Sequence, residues 1–111
     1  MPYDQDLATR IRELMSVERG VQEKKMFGGL AFLVGGNMSA AASGKGGLLV
    51  RVSPEASEEL VSPPLVRLMV MRGRPMKGWL RVDVAAIRTK KQLAAWVKRS
   101  VAYARSLPRK R

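Results

Sequence analysis

The segment MFGGLAFLVGGNMSAAASGKGGLLVRV, residues 26–52, decides the fold, because apolar runs alternate in it with glycine-rich stretches. The apolar runs are Met26 to Val34, Met38 to Ala42 and Leu48 to Val52. Each run has the length and composition of a β-strand, and the glycine pair at residues 28–29 suggests a bulge in the first. The stretches between the runs predict tight turns. The segment therefore predicts a three-stranded meander.

Helices are predicted on both sides of this meander, each after a residue that can cap a helix N-terminus. The first spans about residues 4–18, with Asp4 as its cap. The second is Pro54 to Val61, capped by Ser53, and the third is Lys90 to Leu107, capped by Thr89. In the last one, Leu93, Trp96 and Val97 fall on one side at helical spacing. That side is expected to pack against the sheet.

Two more strands are predicted between the second and third helices, Leu65 to Met71 and Trp79 to Val82. The residues between them, Arg72 to Gly78, are expected to form a hairpin connection. The element order is α-β-β-β-α-β-β-α, which predicts an α+β, two-layer domain with a mostly antiparallel five-stranded sheet and helices on one face. Residues 1–108 are expected to be one domain, followed by a short basic tail at 109–111.

Composition restricts the chemistry of this 111-residue chain. It has no cysteine and no histidine, which excludes disulfides, thiolate metal sites and an imidazole general base. No apolar run is long enough to span a bilayer, and Asp4 and Asp6 lie where a secretory signal would be basic. We therefore expect a cytoplasmic protein that is not an enzyme, with no catalytic residues, no cofactor and no metal site.

Positive charge is concentrated in the last third of the chain. From Arg67 to Arg111 there are 14 lysines and arginines and a single acid, Asp83. The first 66 residues hold seven cations and eight acids, so the net charge of +12 comes from the C-terminal part. A one-sided positive field attracts polyanions. Nucleic acid and anionic membrane surfaces are therefore the first partners to consider.

A basic stripe is predicted on the outer side of the last helix. Lys91, Lys98 and Arg105 are seven residues apart, about 10 Å per step, and Arg99 lies beside them. Such a stripe can follow a phosphate backbone, although an ordinary solvated helix face has the same pattern. We expect these four residues to contact nucleic acid if the protein binds it.

The predicted hairpin connection supplies three further cations, Arg72, Arg74 and Lys77. A projecting loop with this charge could support phosphate contacts, but its proline and glycines suit a plain tight connection equally well. The other glycine-rich loop does not match a phosphate-binding loop, because Gly44 and Lys45 are followed by Gly46 instead of Ser or Thr. We interpret that loop as a turn.

Two other kinds of partner remain open at this stage. Methionines recur on or beside the predicted strands and could form an adaptable protein-binding surface, although filling the core is their more common use. The last helix has a basic face and an apolar face with Trp96, as membrane-surface helices do. Because that apolar face is needed to cover the sheet, we expect no membrane partner.

Several separated segments resemble the N-terminal domain of the TfoX/Sxy family. They are KKMFGGLAF (residues 24–32), GGNM (35–38), GRPMKGW (73–79) and LAAWV (93–97). The resemblance implies the same α-β-β-β-α-β-β-α fold and a cytoplasmic bacterial protein tied to regulation of natural competence. Longer members carry a second, C-terminal helical domain, and we expect this chain to be a stand-alone domain. The resemblance assigns no catalytic residue.

Together these observations predict a small, non-enzymatic bacterial regulatory protein that acts with or near DNA. It would touch DNA directly or support a DNA-bound regulator. The alternative is a protein–protein interaction module without direct nucleic-acid contact. The oligomeric state is left open.

Overall fold

Six strands and three α-helices make up residues 3–26 and 28–108, the part of the chain that a computed structural model describes. The helices are α1 (Gln5–Met15), α2 (Pro54–Leu60) and α3 (Lys90–Ser106). The strands are β1 (Val21–Met26), β2 (Gly29–Val34), β3 (Asn37–Ala42), β4 (Leu48–Arg51), β5 (Val66–Met71) and β6 (Arg74–Val82). The predicted tail at 109–111 lies outside the described residues.

All six strands form one antiparallel sheet in the order β1-β2-β3-β4-β6-β5. A 3₁₀ turn at Val84–Ala86 leads from β6 towards α3. The α+β class and the antiparallel arrangement are confirmed. The strand count is not, because the sheet has six strands instead of five.

The helices begin where their capping residues predicted. The Asp4 carboxylate accepts a hydrogen bond from the Leu7 N–H at 3.1 Å, and Ser53 caps α2 through the Ala56 N–H. Thr89 and Gln92 form a reciprocal capping box at the start of α3. Because capping depends on residues three apart, these N-termini are readable from sequence.

The extra strand lies before the meander, where the sequence predicted a single strand from Met26 to Val34. Gly28, with φ +75°, turns the chain between β1 and β2, and the two strands pair with Met26 opposite Gly29. A side chain at Gly29 would overlap the carbonyl oxygen of Ala42. β1 is an edge strand with four consecutive exposed polar residues, so it lacks the apolar pattern that identifies a strand.

The predicted connection from Arg72 to Gly78 is also wrong, because β6 already begins at Arg74. Only Arg72 and Gly73 form the turn, with φ values of +53° and +77°, and Met71 pairs with Arg74 across it. Two-residue hairpin turns of type I′ require positive φ at both central residues. An arginine in that conformation is uncommon, which concealed the turn in the sequence.

Two hydrophobic clusters occupy opposite faces of the sheet. Successive residues alternate between them: Ala40 and Ala42 belong to one cluster and Ala41 to the other. The first cluster includes side chains from all three helices, and we call this side the helix-covered face. Among the described residues, the second contains none from a helix, and we call it the helix-free face. The predicted placement of the helices on one side of the sheet is therefore confirmed.

No helix in the described part of the chain is both long enough and apolar enough to cross a membrane.

Candidate nucleic-acid interface

Helix α3 is fixed to the sheet by apolar packing and by a buried polar contact. Leu93, Trp96 and Val97 are all buried, as predicted. The buried hydroxyls of Ser39 on β3 and Ser100 on α3 lie 2.8 Å apart. These contacts leave the opposite side of the helix facing solvent on a rigid support.

Three of the predicted cations stand on this outer side without an acid partner. Lys91, Lys98 and Arg99 are exposed, and among the described residues none of them forms an ion pair. The Arg99 guanidinium lies over the Trp96 ring, 5.0 Å from its centroid. Such a cation–π contact holds the arginine against the helix surface while its charge stays accessible.

The fourth predicted helix cation, Arg105, is already paired. Its Nη2 donates to Glu18 Oε1 at 2.8 Å and to the Arg19 carbonyl oxygen at 3.1 Å. Helix α3 itself contains no Asp or Glu. Glu18 is 87 positions away along the chain, so only the packing of the α1–β1 connection beside α3 brings this acid to the stripe.

The hairpin cations lie apart from the helix cations. α3 packs mainly on β2, β3 and β4, whereas the β5–β6 hairpin forms the far edge of the sheet. Arg72 and Arg74 are exposed at its tip, and Lys77 is paired with Glu58 of α2 at 3.0 Å. The structure thus does not unite the seven predicted residues in one surface.

Three arginines that the sequence did not single out occupy the strands. The Arg51 guanidinium lies over the rings of both Trp79 and Tyr103, 5.2 and 5.6 Å from their centroids. Arg67 on β5 lies directly opposite Arg81 on β6. Each of these arginines lies between two apolar residues in the sequence. That alternation could have predicted that their side chains lie on the face of the sheet opposite to those neighbours. Their partners follow from the sheet register and, for Tyr103, from the packing of α3.

An exposed ion pair joins α1 to the edge strand β1. Arg12 Nε and Nη2 donate to the two carboxylate oxygens of Glu23 at 2.7 and 2.8 Å. The hydrogen bonds from Arg12 lower the pKa of Glu23 below its ordinary value of 4.5. Within the described residues, no three acidic side chains come together in a way that could hold a metal ion.

Comparison with known families identifies the domain. The family model described as TfoX N-terminal domain matches residues 13–104, which is most of the chain. The chain belongs to this family. The match runs from the last turn of α1 to the last turn of α3 and includes Lys91, Lys98 and Arg99, whereas Arg105 lies just beyond it. Neither the curated proteins nor the solved structures compared with the chain gave a match.

Proposed function

We propose that this TfoX N-terminal domain is a non-enzymatic regulatory module of the bacterial cytoplasm that acts with or near DNA, and that α3 supplies its phosphate contacts. Family membership supports a regulatory role connected with competence. The observation that carries the DNA contact is the outer side of α3, where Lys91, Lys98 and Arg99 are exposed and unpaired within the described residues.

Rigidity favours these residues over other cations of the chain. Holding a side chain in place on binding costs conformational entropy, and less is lost when its backbone is already fixed. Lys91 and Lys98 lie seven residues apart on one helix, a step of about 10 Å that suits a run of phosphates. Contacts of this kind are mainly electrostatic and weakly selective for sequence.

The test is duplex binding over a series of salt concentrations, comparing K91Q/K98Q with the control K24Q/K25Q. Both variants lose two charges from exposed lysines, and the control lysines lie on the edge strand β1. Two lost phosphate contacts should flatten the log–log salt slope by about 1.8, since each contact contributes about 0.9. The control should change the slope much less.

Two results would contradict the proposal. Affinity of the unmodified protein that does not fall as salt rises would exclude direct phosphate binding. Equal slopes for K91Q/K98Q and the unmodified protein would move the contact away from α3. Arg105→Ala is expected to change the salt slope less than a substitution at Lys91 or Lys98, because Glu18 already compensates the charge of Arg105.

The alternative function is a protein-interaction module without nucleic-acid contact. Part of the methionine-rich surface expected for it is core, because Met38 and Met69 are only 6% exposed, whereas Met26, Met71 and Met76 are half-buried. One feature still favours this alternative: Val70 is 58% exposed on β5, an edge strand. Co-purification of one protein without nucleic acid, lost in Val70→Lys, would support it, because a lysine on an edge strand blocks pairing with another chain.

A further inference from the structure

A cavity of about 440 Å³ lies where the loop of residues 43–47 meets the ends of β5 and β6. Three cationic side chains line it, from Lys45, Arg67 and Arg81. The acid on its rim is Asp83, whose Oδ1 accepts a hydrogen bond from the Ala85 N–H at 2.9 Å. The cavity is therefore rich in positive charge, and its one acid is engaged in capping the 3₁₀ turn.

The two arginines of this cavity face each other in an unfavourable arrangement. Arg67 and Arg81 are directly opposite each other on neighbouring antiparallel strands, so their Cβ atoms are about 5 Å apart on the same face of the sheet. Like charges in this position destabilise a sheet. Within residues 3–26 and 28–108 neither arginine forms an ion pair. An anion between them would relieve the repulsion.

Hydrogen bonds hold part of this arrangement in place before any ligand arrives. Arg81 Nη1 donates to Ser43 Oγ at 2.9 Å, and the same oxygen accepts from the Lys45 N–H at 3.1 Å. Ser43 is 8% exposed. One buried hydroxyl thus fixes both the guanidinium of Arg81 and the loop that carries Lys45.

Glycine lets this loop approach β6 closely. Gly47 has φ +74°, and a Cβ there would lie 2.7 Å from the Val82 carbonyl oxygen. Any other residue at this position would push the loop away from the strand end. The close approach brings Lys45 to the two arginines.

We propose that this cavity binds a phosphoryl group, with Arg67, Arg81 and Lys45 as its ligands. Arginine presents a planar fork of N–H donors that matches phosphate oxygens, and lysine adds a point charge. The volume is within the range of small-ligand sites. A second cavity, beside Arg105, is a weaker candidate because Glu18 already neutralises that arginine.

The phosphoryl group has two possible sources, a free phosphate ester or the backbone of a nucleic acid. Both present the same oxygens to the arginines. The proposal does not depend on the α3 contact, because the cavity lies at the ends of β5 and β6 and not on the helix.

The experiment titrates the protein with inorganic pyrophosphate at constant ionic strength and follows Tm and the amide resonances of Gly46 and Gly47. We expect saturable shifts of these resonances and a rise in Tm, since a ligand that binds only the folded state stabilises it. Arg67→Gln and Arg81→Gln should each weaken binding by about tenfold or more, the effect of losing a charge-assisted hydrogen bond. The control Lys24→Gln, an exposed cation on β1, should not weaken it.

Arg67→Gln should also change Tm in the absence of pyrophosphate, and in the opposite direction to its effect on binding. Arg67 is exposed, so its replacement does not endanger folding. In buffer without phosphate it should raise Tm, because the repulsion with Arg81 is removed, yet it should reduce the rise in Tm that a given concentration of pyrophosphate causes. A merely structural role for Arg67 would not give both results.

The source is identified by adding a short duplex to the pyrophosphate-bound protein. Displacement of pyrophosphate in K91Q/K98Q as well as in the unmodified protein assigns the site to a nucleic-acid backbone, and no displacement assigns it to a free ester. The proposal is overturned if pyrophosphate gives no saturable shift, or if Lys24→Gln weakens binding as much as Arg67→Gln. Failure of duplex binding alone would refute only the α3 contact.

Discussion

The two faces of the sheet are built from the same strands, but their apolar side chains are shielded from solvent in different ways. On the helix-covered face, large rigid side chains such as Phe32 and Leu80 are fully buried beneath helices. On the helix-free face, alanines and methionines are buried without any helix above them, for example Ala31 and Met69. The helices form a rigid second layer against which large side chains can pack. On the other face, side chains of the strands themselves must cover the buried residues.

The shielding of the helix-free face comes from its own longer side chains. Half-buried residues pack against its buried members, and they are Met26, Leu33, Met71 and Trp79. Methionine has three rotatable bonds and adapts to irregular gaps. Arg67 and Arg81, which line the proposed phosphoryl-binding cavity, lie at the margin of this helix-free face.

The largest expected effect tests this difference in packing directly. Leu80→Ala should lower the free energy of unfolding by about 4–5 kcal/mol, because the rigid layer above it cannot collapse into the cavity. Leu49→Ala on the helix-free face should cost only about 2–3 kcal/mol, since flexible neighbours can fill the space. Urea unfolding of both variants measures the difference. Equal costs would mean that the two faces are equally rigid.

A middle-sized effect is expected where α3 meets the sheet. Ser100 Oγ donates to the Val97 carbonyl at 2.8 Å, so the bond between the two hydroxyls uses the proton of Ser39. Ser100→Ala therefore leaves the buried Ser39 hydroxyl without a partner and should cost about 1–3 kcal/mol. Ser39→Ala should cost less, because Ser100 keeps its bond to Val97. The reverse order in urea unfolding would contradict this assignment of donors.

The smallest effect concerns the ion pair at the exposed edge of the helix-covered side. Because the pKa of Glu23 is below its ordinary 4.5, the stabilisation is present above that pH and is lost as pH falls through the folded-state value. Glu23→Gln should lower Tm at about pH 7 by about 2 °C or less, as exposed pairs contribute little. Below the folded-state pKa of Glu23 the two proteins should melt nearly together. A difference that persists in acid would assign the effect to packing.

Local signals in the sequence were sufficient for the helices and for most strands. The capping residues located all three helix starts, and apolar runs bounded by glycine located β3 and β4 closely. The signal failed at β1, whose polar residues form an edge strand, and at the turn of Arg72 and Gly73. In both places the conformation is decided by pairing with a neighbouring strand and not by local preference.

For the candidate sites, the sequence by itself determined that the C-terminal third is cationic and that α3 has a basic outer side. It could not determine which of those charges have partners. Glu18 reaches Arg105 and Glu58 reaches Lys77 only after folding, and Arg67 faces Arg81 only through the register of β5 and β6. Charge is a property of each residue, whereas neutralisation and repulsion depend on distances between residues far apart in the chain, and only the tertiary structure sets those distances.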